Sequence, residues 1–124
     1  MATKIEQIEN GRAAFAFQQI KSFIAKNDEK TQKEFKAYIK KMPSMIKVNG
    51  LGQTLAFYYS NQKSKSYQGV YQIIEKYFDE KPKEQELVEW VVEMDSGEYR
   101  HVTTETLALL NWMRRFAEGM VKTD

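Results

Sequence analysis

The sequence predicts an all-α fold, a compact bundle of five to seven helices in a single domain that covers residues 1–124. Three observations support this prediction. Apolar residues recur at spacings of three and four over most of the chain, as in helices with one buried face. Residues that favour helix starts precede these stretches, and no segment alternates in polarity as a strand would. With 124 residues, 42% of them hydrophobic, the chain can bury a core without disulfides.

The first helix is predicted to begin at Thr3 and to end near Lys26. Thr3 and Glu6 have the spacing of a capping box, in which each side chain accepts a hydrogen bond from the backbone amide of the other. The apolar residues that follow share one helical face, and Phe15 lies off that face. The members of the face are Ala13, Ala16, Phe17, Ile20, Phe23 and Ile24.

The second helix is predicted to begin at another capping box, formed by Thr31 and Glu34. Phe35, Tyr38, Ile39 and Met42 then continue at helical spacing. Pro43 is expected to stop or kink this helix, because proline lacks an amide donor and disfavours helical geometry in the residue before it. We therefore expect residues 44–48 to form a separate short turn of helix.

Gly50 is predicted to end that turn with a positive φ angle, and a third, short helix is expected to begin at Leu51. The glycines of Gly50–Thr54 lack the lysine of a phosphate-binding loop, so we interpret them structurally, with an RNA phosphate held by the backbone amides of this helix start as the alternative. Ser66 is predicted to cap the fourth helix, which has the cleanest apolar periodicity in the chain. Its apolar positions are Tyr67, Val70, Tyr71, Ile74, Tyr77 and Phe78.

Pro82 fits the first turn of a fifth helix, where a missing amide has no cost. Thr103 or Thr104 is predicted to cap the last helix, which should end near Lys122. Because that helix is apolar on two sides, we expect it to be the most buried element of the bundle.

Composition excludes several classes of chemistry. There is no cysteine, so thiolate nucleophiles, thiolate metal sites and disulfides are excluded, and a single histidine, His101, excludes a histidine-pair metal site. His101 is predicted to be a loop residue rather than a catalytic base. Helical RNases of the HEPN type carry an arginine four to six residues before a histidine, whereas residues 95–97 here are Asp, Ser and Gly. We predict no catalytic residues, no metal, no cofactor and no small-molecule substrate.

The chain also lacks the features of a membrane or secreted protein. Charged residues interrupt every apolar run before it reaches the roughly 18 residues of a membrane span. Without cysteine and without a signal peptide, a cytoplasmic location is expected.

Charge is distributed unevenly along the chain. Residues 21–65 contain ten basic and three acidic residues, a net charge of +7, whereas residues 77–124 contain six basic and eleven acidic residues, a net charge of −5. This asymmetry predicts one side of the domain that faces an anionic partner and an opposite acidic side.

The lysines of the second helix are candidate nucleic-acid contacts. Lys36, Lys40, Lys41 and Lys47 belong to a run of lysines at near-helical spacing, in which Glu34 is the one nearby acidic residue. Such a run is equally typical of a solvated face and of a surface that follows a phosphate backbone without reading its sequence.

Three arginines complete the candidate set. Arg114 and Arg115 are adjacent in the last helix and therefore point about 100° apart, so at least one should reach the surface. Arg12 interrupts the first helix beside apolar residues, where it either faces a partner or pairs internally. For Arg114 and Arg115 the alternative is an internal ion pair with Glu89, Glu105 or Glu118.

Several segments together resemble the small helical subunit of type III-B CRISPR effector complexes, the Cmr complexes. The order and spacing of these segments cover nearly the whole chain. They are Asn10–Ala14, Tyr38–Pro43, Val48–Phe57, and Tyr99–Arg100 followed by Thr103, Glu105, Leu107, Leu110, Trp112 and Arg114–Phe116.

This resemblance implies a non-catalytic subunit in antiviral defence. In that family, copies of the small subunit stack beside a filament of backbone subunits that holds the guide RNA, and basic faces contact the guide RNA/target RNA backbone. The implied partners are the other Cmr subunits, further copies of the chain and RNA. Phe15, Phe57 and Tyr59 are candidates for the contact between copies, with core burial as the alternative.

Two rival functions fit the same sequence. A helical protein–protein adaptor would carry the lysines only as a solvated face and would not bind RNA. A small hydrolase or nuclease would need a carboxylate site such as Glu89, Glu93 and Asp95, and the absence of a recognisable ligand set weighs against it.

Overall fold

The computed structural model describes residues 3–122, and six helices account for most of them. These are α1 (Lys4–Lys26), α2 (Glu29–Asn49), α3 (Leu51–Ser60), α4 (Lys65–Tyr77), α5 (Leu87–Val92) and α6 (Ser96–Met120). No strand occurs among the described residues. The predicted all-α class and the predicted number of helices are confirmed.

The first two helices begin by different capping arrangements. At α1 the predicted capping box is present, with the Glu6 amide donating to Thr3 Oγ1 at 3.1 Å and the Thr3 amide donating to the Glu6 carboxylate at 3.0 Å. The start predicted for α2 was wrong by three residues. Asp28 caps this helix, and its carboxylate accepts a hydrogen bond from the Thr31 amide at 2.9 Å. Thr31 therefore lies in the first turn rather than before it.

Pro43 lies inside α2, so the predicted separate turn over residues 44–48 was wrong. The proline leaves the Ile39 carbonyl without its usual amide partner. Burial offsets this cost, because Met42 before the proline is fully buried and Ile46 after it is 4% exposed, both on the core face of the helix. The apolar face that holds α2 in the bundle is continuous across Pro43.

Gly50 separates α2 from α3, as predicted, with a φ angle of 86°. This angle favours glycine, and the Gly50 amide donates to the Ile46 carbonyl at 2.8 Å to end α2. The next turn is tied to α6, since the Gly52 amide donates to the Tyr99 hydroxyl at 2.9 Å. The two glycines thus have the structural role that the sequence suggested.

The starts predicted for α4 and α5 were wrong. Ser64 caps α4, whereas Ser66 is buried inside it and donates to the Thr31 carbonyl at 2.9 Å. Pro82 lies in the connection before α5. Within this connection the Lys81 ammonium donates to the carbonyls of Pro82 and Gln85.

The last helix starts earlier than predicted. Asp95 caps α6 by accepting a hydrogen bond from the Glu98 amide at 2.8 Å, so the segment predicted as a turn is the first turn of the helix. Thr103 and Thr104 are interior residues whose hydroxyls donate to carbonyls four residues earlier. His101, predicted in a loop, is an exposed residue of the same helix.

The core draws buried side chains from all six helices. α6 contributes Leu109, Leu110, Met113 and Ala117, all fully buried, and packs against α1, α2 and α5. In α1 the roles of two phenylalanines are the reverse of those predicted. Phe15 packs on Tyr77 with 5.2 Å between ring centroids, whereas Phe17 is 37% exposed.

The bundle contains no helix within residues 3–122 that is long and apolar enough to cross a lipid bilayer.

Candidate nucleic-acid interface

Three of the predicted lysines form a row on α2. A helix turns about 100° per residue, so Lys36, Lys40 and Lys47 fall within an arc of about 40°, along about 16 Å of helix. Lys40 and Lys47 are exposed and Lys36 is half-buried. We call these three residues the α2 lysine row. It lies on the flank of the helix, next to the face that Phe35 and Ile39 bury in the core.

Little negative charge offsets the α2 lysine row. Glu118 of α6 has a carboxylate oxygen 3.8 Å from the Lys40 ammonium, and both side chains are close to half exposed. Lys36 and Lys47 have no ion-pair partner among residues 3–122. The row therefore presents positive charge to solvent, as a contact to phosphates requires.

The structure separates Lys41 from the row. Its ammonium lies 4.6 Å from the ring centroid of Tyr38, 4.7 Å from that of Tyr67 and 5.3 Å from that of Phe57. It also donates to the Tyr67 hydroxyl at 2.5 Å. We call this arrangement the Lys41 aromatic cluster. A cation held by three rings and a hydroxyl is a packing element between α2, α3 and α4.

The Tyr38 and Tyr67 rings of this cluster stack with centroids 3.8 Å apart and an interplanar angle of 9°. Burial raises the pKa of the Tyr38 hydroxyl, and the neighbouring Tyr67 adds to the effect. Tyr58 lies against the same rings and donates to the Tyr38 carbonyl at 2.5 Å. The rings that hold Lys41 are therefore fixed by the core itself.

Arg12 is also engaged inside the protein. Its guanidinium donates to both carboxylate oxygens of Glu105 on α6 and forms an ion pair with Glu9 at 2.6 Å. The Tyr77 hydroxyl donates to Glu105 at 3.1 Å, and the Trp112 indole donates to Glu9 at 3.0 Å. We call these five residues the Arg12 network. It corresponds to the internal pairing that was the alternative to a partner contact.

The Arg12 network shifts the titration of its members. The hydrogen bond that Arg12 donates to Glu105 raises the pKa of Arg12 above its usual value. Burial by itself would raise the pKa of Glu105, but the hydrogen bond and charge of Arg12 outweigh it and hold that pKa below the usual range. Burial raises the pKa of the Tyr77 hydroxyl, and the Glu105 charge adds to this. Arg12 and Glu105 thus remain charged at neutral pH.

Arg114 and Arg115 lie within one turn of Glu118, the α6 residue that approaches Lys40. Arg115 is exposed, and Arg114 is half-buried with an Nε atom that is buried and lacks a hydrogen-bond partner. Within residues 3–122 neither arginine forms an ion pair. The internal pairing considered for them is not present. Both arginines lie on the helix that borders the α2 lysine row.

The rival carboxylate site receives no support from its geometry. Glu93 accepts a hydrogen bond from the Gln85 side chain at 2.7 Å, and Asp95 is occupied as the cap of α6. Within residues 3–122, no group of three or more His, Cys, Asp or Glu side chains is arranged to hold a metal ion.

Sequence reasoning missed a polar groove between α1 and α4. Its lysines are Lys26, Lys65 and Lys76, which come from two helices far apart in the chain. The available signal was on α4, where Lys65, Gln68, Gln72 and Lys76 recur at helical spacing. The prediction of that helix used only its apolar residues.

Comparison with known proteins identifies relatives of this fold. Residues 8–120 match the protein family described as CRISPR-associated protein (Cas_Cmr5). The fold is also similar to a crystal structure described as a CRISPR-associated Cmr5 family protein from Thermus thermophilus. The two superpose with a TM-score of 0.80 at 23% sequence identity, over 98% of this chain and 100% of the Thermus chain.

Proposed function

The chain belongs to the Cmr5 family of CRISPR-associated proteins, and from this premise we propose that it is a non-catalytic subunit that contacts RNA through a basic face. Family membership makes it a small subunit of the type III-B, or Cmr, complex in CRISPR defence. The proposal adds how it works there. The subunit stacks with copies of itself in the cytoplasm, and its α2 lysine row lies along the backbone of the guide RNA/target RNA duplex in antiviral defence.

The observation that supports the proposed RNA contact is the α2 lysine row, whose positive charge is only weakly neutralised by nearby carboxylates. Lys36 and Lys47 are without an ion pair within residues 3–122, and Lys40 has one exposed carboxylate at 3.8 Å. Lysine ammonium groups bind phosphates as point charges and carry no information about sequence. This suits a subunit that must accept any target, because in such complexes base pairing reads the sequence.

Two arginines extend the proposed contact onto α6. Arg115 is exposed, whereas Arg114 is half-buried and its Nε atom is inaccessible to a ligand. An RNA phosphate would bind the Arg115 guanidinium, and a contact to Arg114 would use its terminal nitrogens. The proposal does not rely on Arg12 or Lys41, since the Arg12 network and the Lys41 aromatic cluster engage both cations inside the protein.

The proposed contact between copies uses exposed aromatic residues. Phe57 is 40% exposed and Tyr59 is 43% exposed, both on α3, whereas Phe15 packs on Tyr77 and is half-buried. Exposed aromatic side chains are enriched where proteins associate. Stacking of copies head to tail would require a heterologous interface, and we propose that Phe57 or Tyr59 belongs to it.

The test of RNA contact is fluorescence anisotropy of a labelled RNA duplex across a salt series. We expect the triple variant Lys36→Glu/Lys40→Glu/Lys47→Glu to bind at least about tenfold more weakly than the unaltered protein, because three phosphate contacts become repulsive. The matched control is Lys4→Glu/Lys83→Glu/Lys122→Glu, which changes net charge equally at exposed lysines outside the row. Equal weakening in both variants would reduce the effect to net charge and contradict a specific role for the row.

The same variants separate this proposal from the protein–protein adaptor. If the chain were only a protein–protein adaptor, the row variant would assemble with the other Cmr subunits and the complex would bind target RNA with unchanged affinity. We expect instead that the row variant assembles but that the complex holds target RNA less tightly. Pull-down of the assembled complex followed by the same anisotropy assay measures both properties.

A further inference from the structure

A groove runs between α1 and α4, and none of the residues that line it belongs to the proposed RNA contact. Its volume is about 610 Å³. Phe23 and Gly69 meet at its floor, where a Cβ added to the glycine would lie 2.4 Å from the Phe23 ring. The Phe23 ring in turn stacks on Phe35 of the core at 3.7 Å. The missing side chain at position 69 therefore lets the Phe23 ring lie directly against the α4 backbone at the floor of the groove.

Two polar stripes face each other across this groove. On α4, Lys65, Gln68, Gln72 and Lys76 share one helical face along about 16 Å. On α1, Gln19 and Lys26 lie on the opposite wall, with Ser22 between them. A lysine thus lies toward each end of the α4 stripe, and glutamines lie between the two lysines.

Several polar groups of the groove are available for ion pairs and hydrogen bonds with a ligand. Lys26, Lys65 and Lys76 form no ion pair within the described residues, and the amides of Gln19, Gln68 and Gln72 have no protein hydrogen-bond partner there. One carboxylate, that of Glu75, also lines the groove, and Lys81 neutralises it at 3.5 Å. The lining therefore offers three cations and three free amides against the paired carboxylate of Glu75, and the Asp28 carboxylate outside the lining lies within electrostatic reach of Lys65.

We propose that this groove binds a short stretch of single-stranded RNA. Lysines toward the two ends of the α4 stripe would hold phosphates, and glutamines between them would hydrogen-bond the Watson–Crick edges of bases, which only unpaired nucleotides leave free. A groove of about 610 Å³ between two adjacent helices has room for a single strand and not for a duplex. The inference rests on the proposed function for the class of ligand, but it assigns a different site and a different form of RNA.

The direct test is a titration of the ¹⁵N-labelled full chain with tetrauridylate, followed by two-dimensional amide NMR. The side-chain amides of Gln19, Gln68 and Gln72 give their own signals and report contact at the groove itself. We expect these signals to shift in a saturable way that added salt weakens. Shifts confined to the α2 lysine row, or no shifts at millimolar RNA, would overturn the inference.

Paired variants distinguish the groove from the α2 lysine row. Lys65→Glu/Lys76→Glu should weaken tetrauridylate binding at least tenfold and leave duplex binding within twofold, whereas the triple row variant should do the reverse. The matched control is Lys63→Glu/Lys83→Glu, at two exposed lysines that do not line the groove. If the groove variant binds tetrauridylate as the control does, the groove inference fails while the proposed function stands. If the row variant binds the duplex as tightly as the unaltered protein while the groove variant loses tetrauridylate binding, the proposed role of the row fails and the groove inference stands.

Discussion

Two basic regions of this small bundle use the same kind of residue in opposite ways. Arg12 lies between α1 and α6, with a side chain that is 13% exposed and carboxylates from Glu9 and Glu105 around its guanidinium. The α2 lysine row faces solvent, and its nearest carboxylate is 3.8 Å from Lys40. The first region is neutralised by the protein and links two helices. The second retains its charge for a partner.

Burial and partners, rather than residue type, therefore decide what a cation does in this bundle. A half-buried guanidinium has lost much of its hydration, so its carboxylates must replace water. A lysine in the row keeps its hydration until an RNA phosphate displaces counterions. Substitutions in the Arg12 network should therefore change the stability of the fold, and substitutions in the row should change only binding.

The largest effect is expected for Arg12→Met. This change leaves the Glu105 carboxylate, 20% exposed, without its partner, and we expect a loss of about 2–3 kcal/mol in the free energy of unfolding. Urea unfolding followed by circular dichroism measures it. The double variant Arg12→Met/Glu105→Leu removes both charges and should lose less than the sum of the two single variants. Strict additivity would contradict a coupled network.

A smaller loss, about 1 kcal/mol, is expected for Lys41→Met. The ammonium lies within 5.3 Å of three ring centroids, and each cation–π contact near a surface contributes about 0.5–1 kcal/mol, partly replaced by the apolar methionine. The control is Lys40→Met at the neighbouring position, where an exposed pair at 3.8 Å contributes little. Equal stability of the two variants would show that the Lys41 aromatic cluster does not hold the helices together.

Acidification should weaken the Arg12 network. The pKa of Glu105 in the folded protein is held below its ordinary value of 4.5. Between these two pKa values the unfolded chain therefore binds more protons than the folded one. Stability from this group is complete above pH 4.5 and is lost as the pH falls through the lower, folded pKa. We expect urea midpoints to decline in this acidic window, and less steeply for Glu105→Gln. An unchanged decline in that variant would assign the effect to other carboxylates.

Local signals in the sequence predicted some helix ends and missed others, since the caps expected at Thr31 and Ser66 are formed by Asp28 and Ser64. The Thr3 capping box and the Gly50 helix end depend on residues within one turn, and both are present. The continuation of α2 through Pro43 depends instead on burial of Met42 and Ile46 in the assembled core. Propensity at position 43 favoured a break, and tertiary packing overrode it.

The candidate site shows the same limit. Helical spacing placed Lys36 and Lys40 on one face, but Lys47 joins their row only because α2 continues through Pro43. It could not show that Arg12 pairs with Glu105, a residue 93 positions away, or that rings from α3 and α4 surround Lys41. It also missed the groove, whose two walls come from α1 and α4. Spacing reveals which residues share a helix face and not what lies opposite that face.

The smallest effect on stability is expected for the neutral triple variant Lys36→Gln/Lys40→Gln/Lys47→Gln. Each side chain is replaced by one of similar length that keeps its helix propensity, so unfolding should change by less than about 0.5 kcal/mol. RNA binding should change in a specific way. Because three phosphate contacts are lost, the slope of log affinity against log salt should become shallower by about 2–3.

Unfolding stability and the salt slope of RNA binding, measured on this one variant, test the contrast between the Arg12 network and the α2 lysine row most directly. The same three substitutions should leave the stability unchanged and change the binding by a defined amount. A destabilised variant would mean that the row, like Arg12, is part of the architecture, and the loss of binding would then follow from damage to the fold. A stable variant with an unchanged salt slope would mean that the charge of the row is solvated and never meets a phosphate. If the row contacts RNA phosphates and does not stabilise the fold, the variant should show both an unchanged free energy of unfolding and a shallower salt slope.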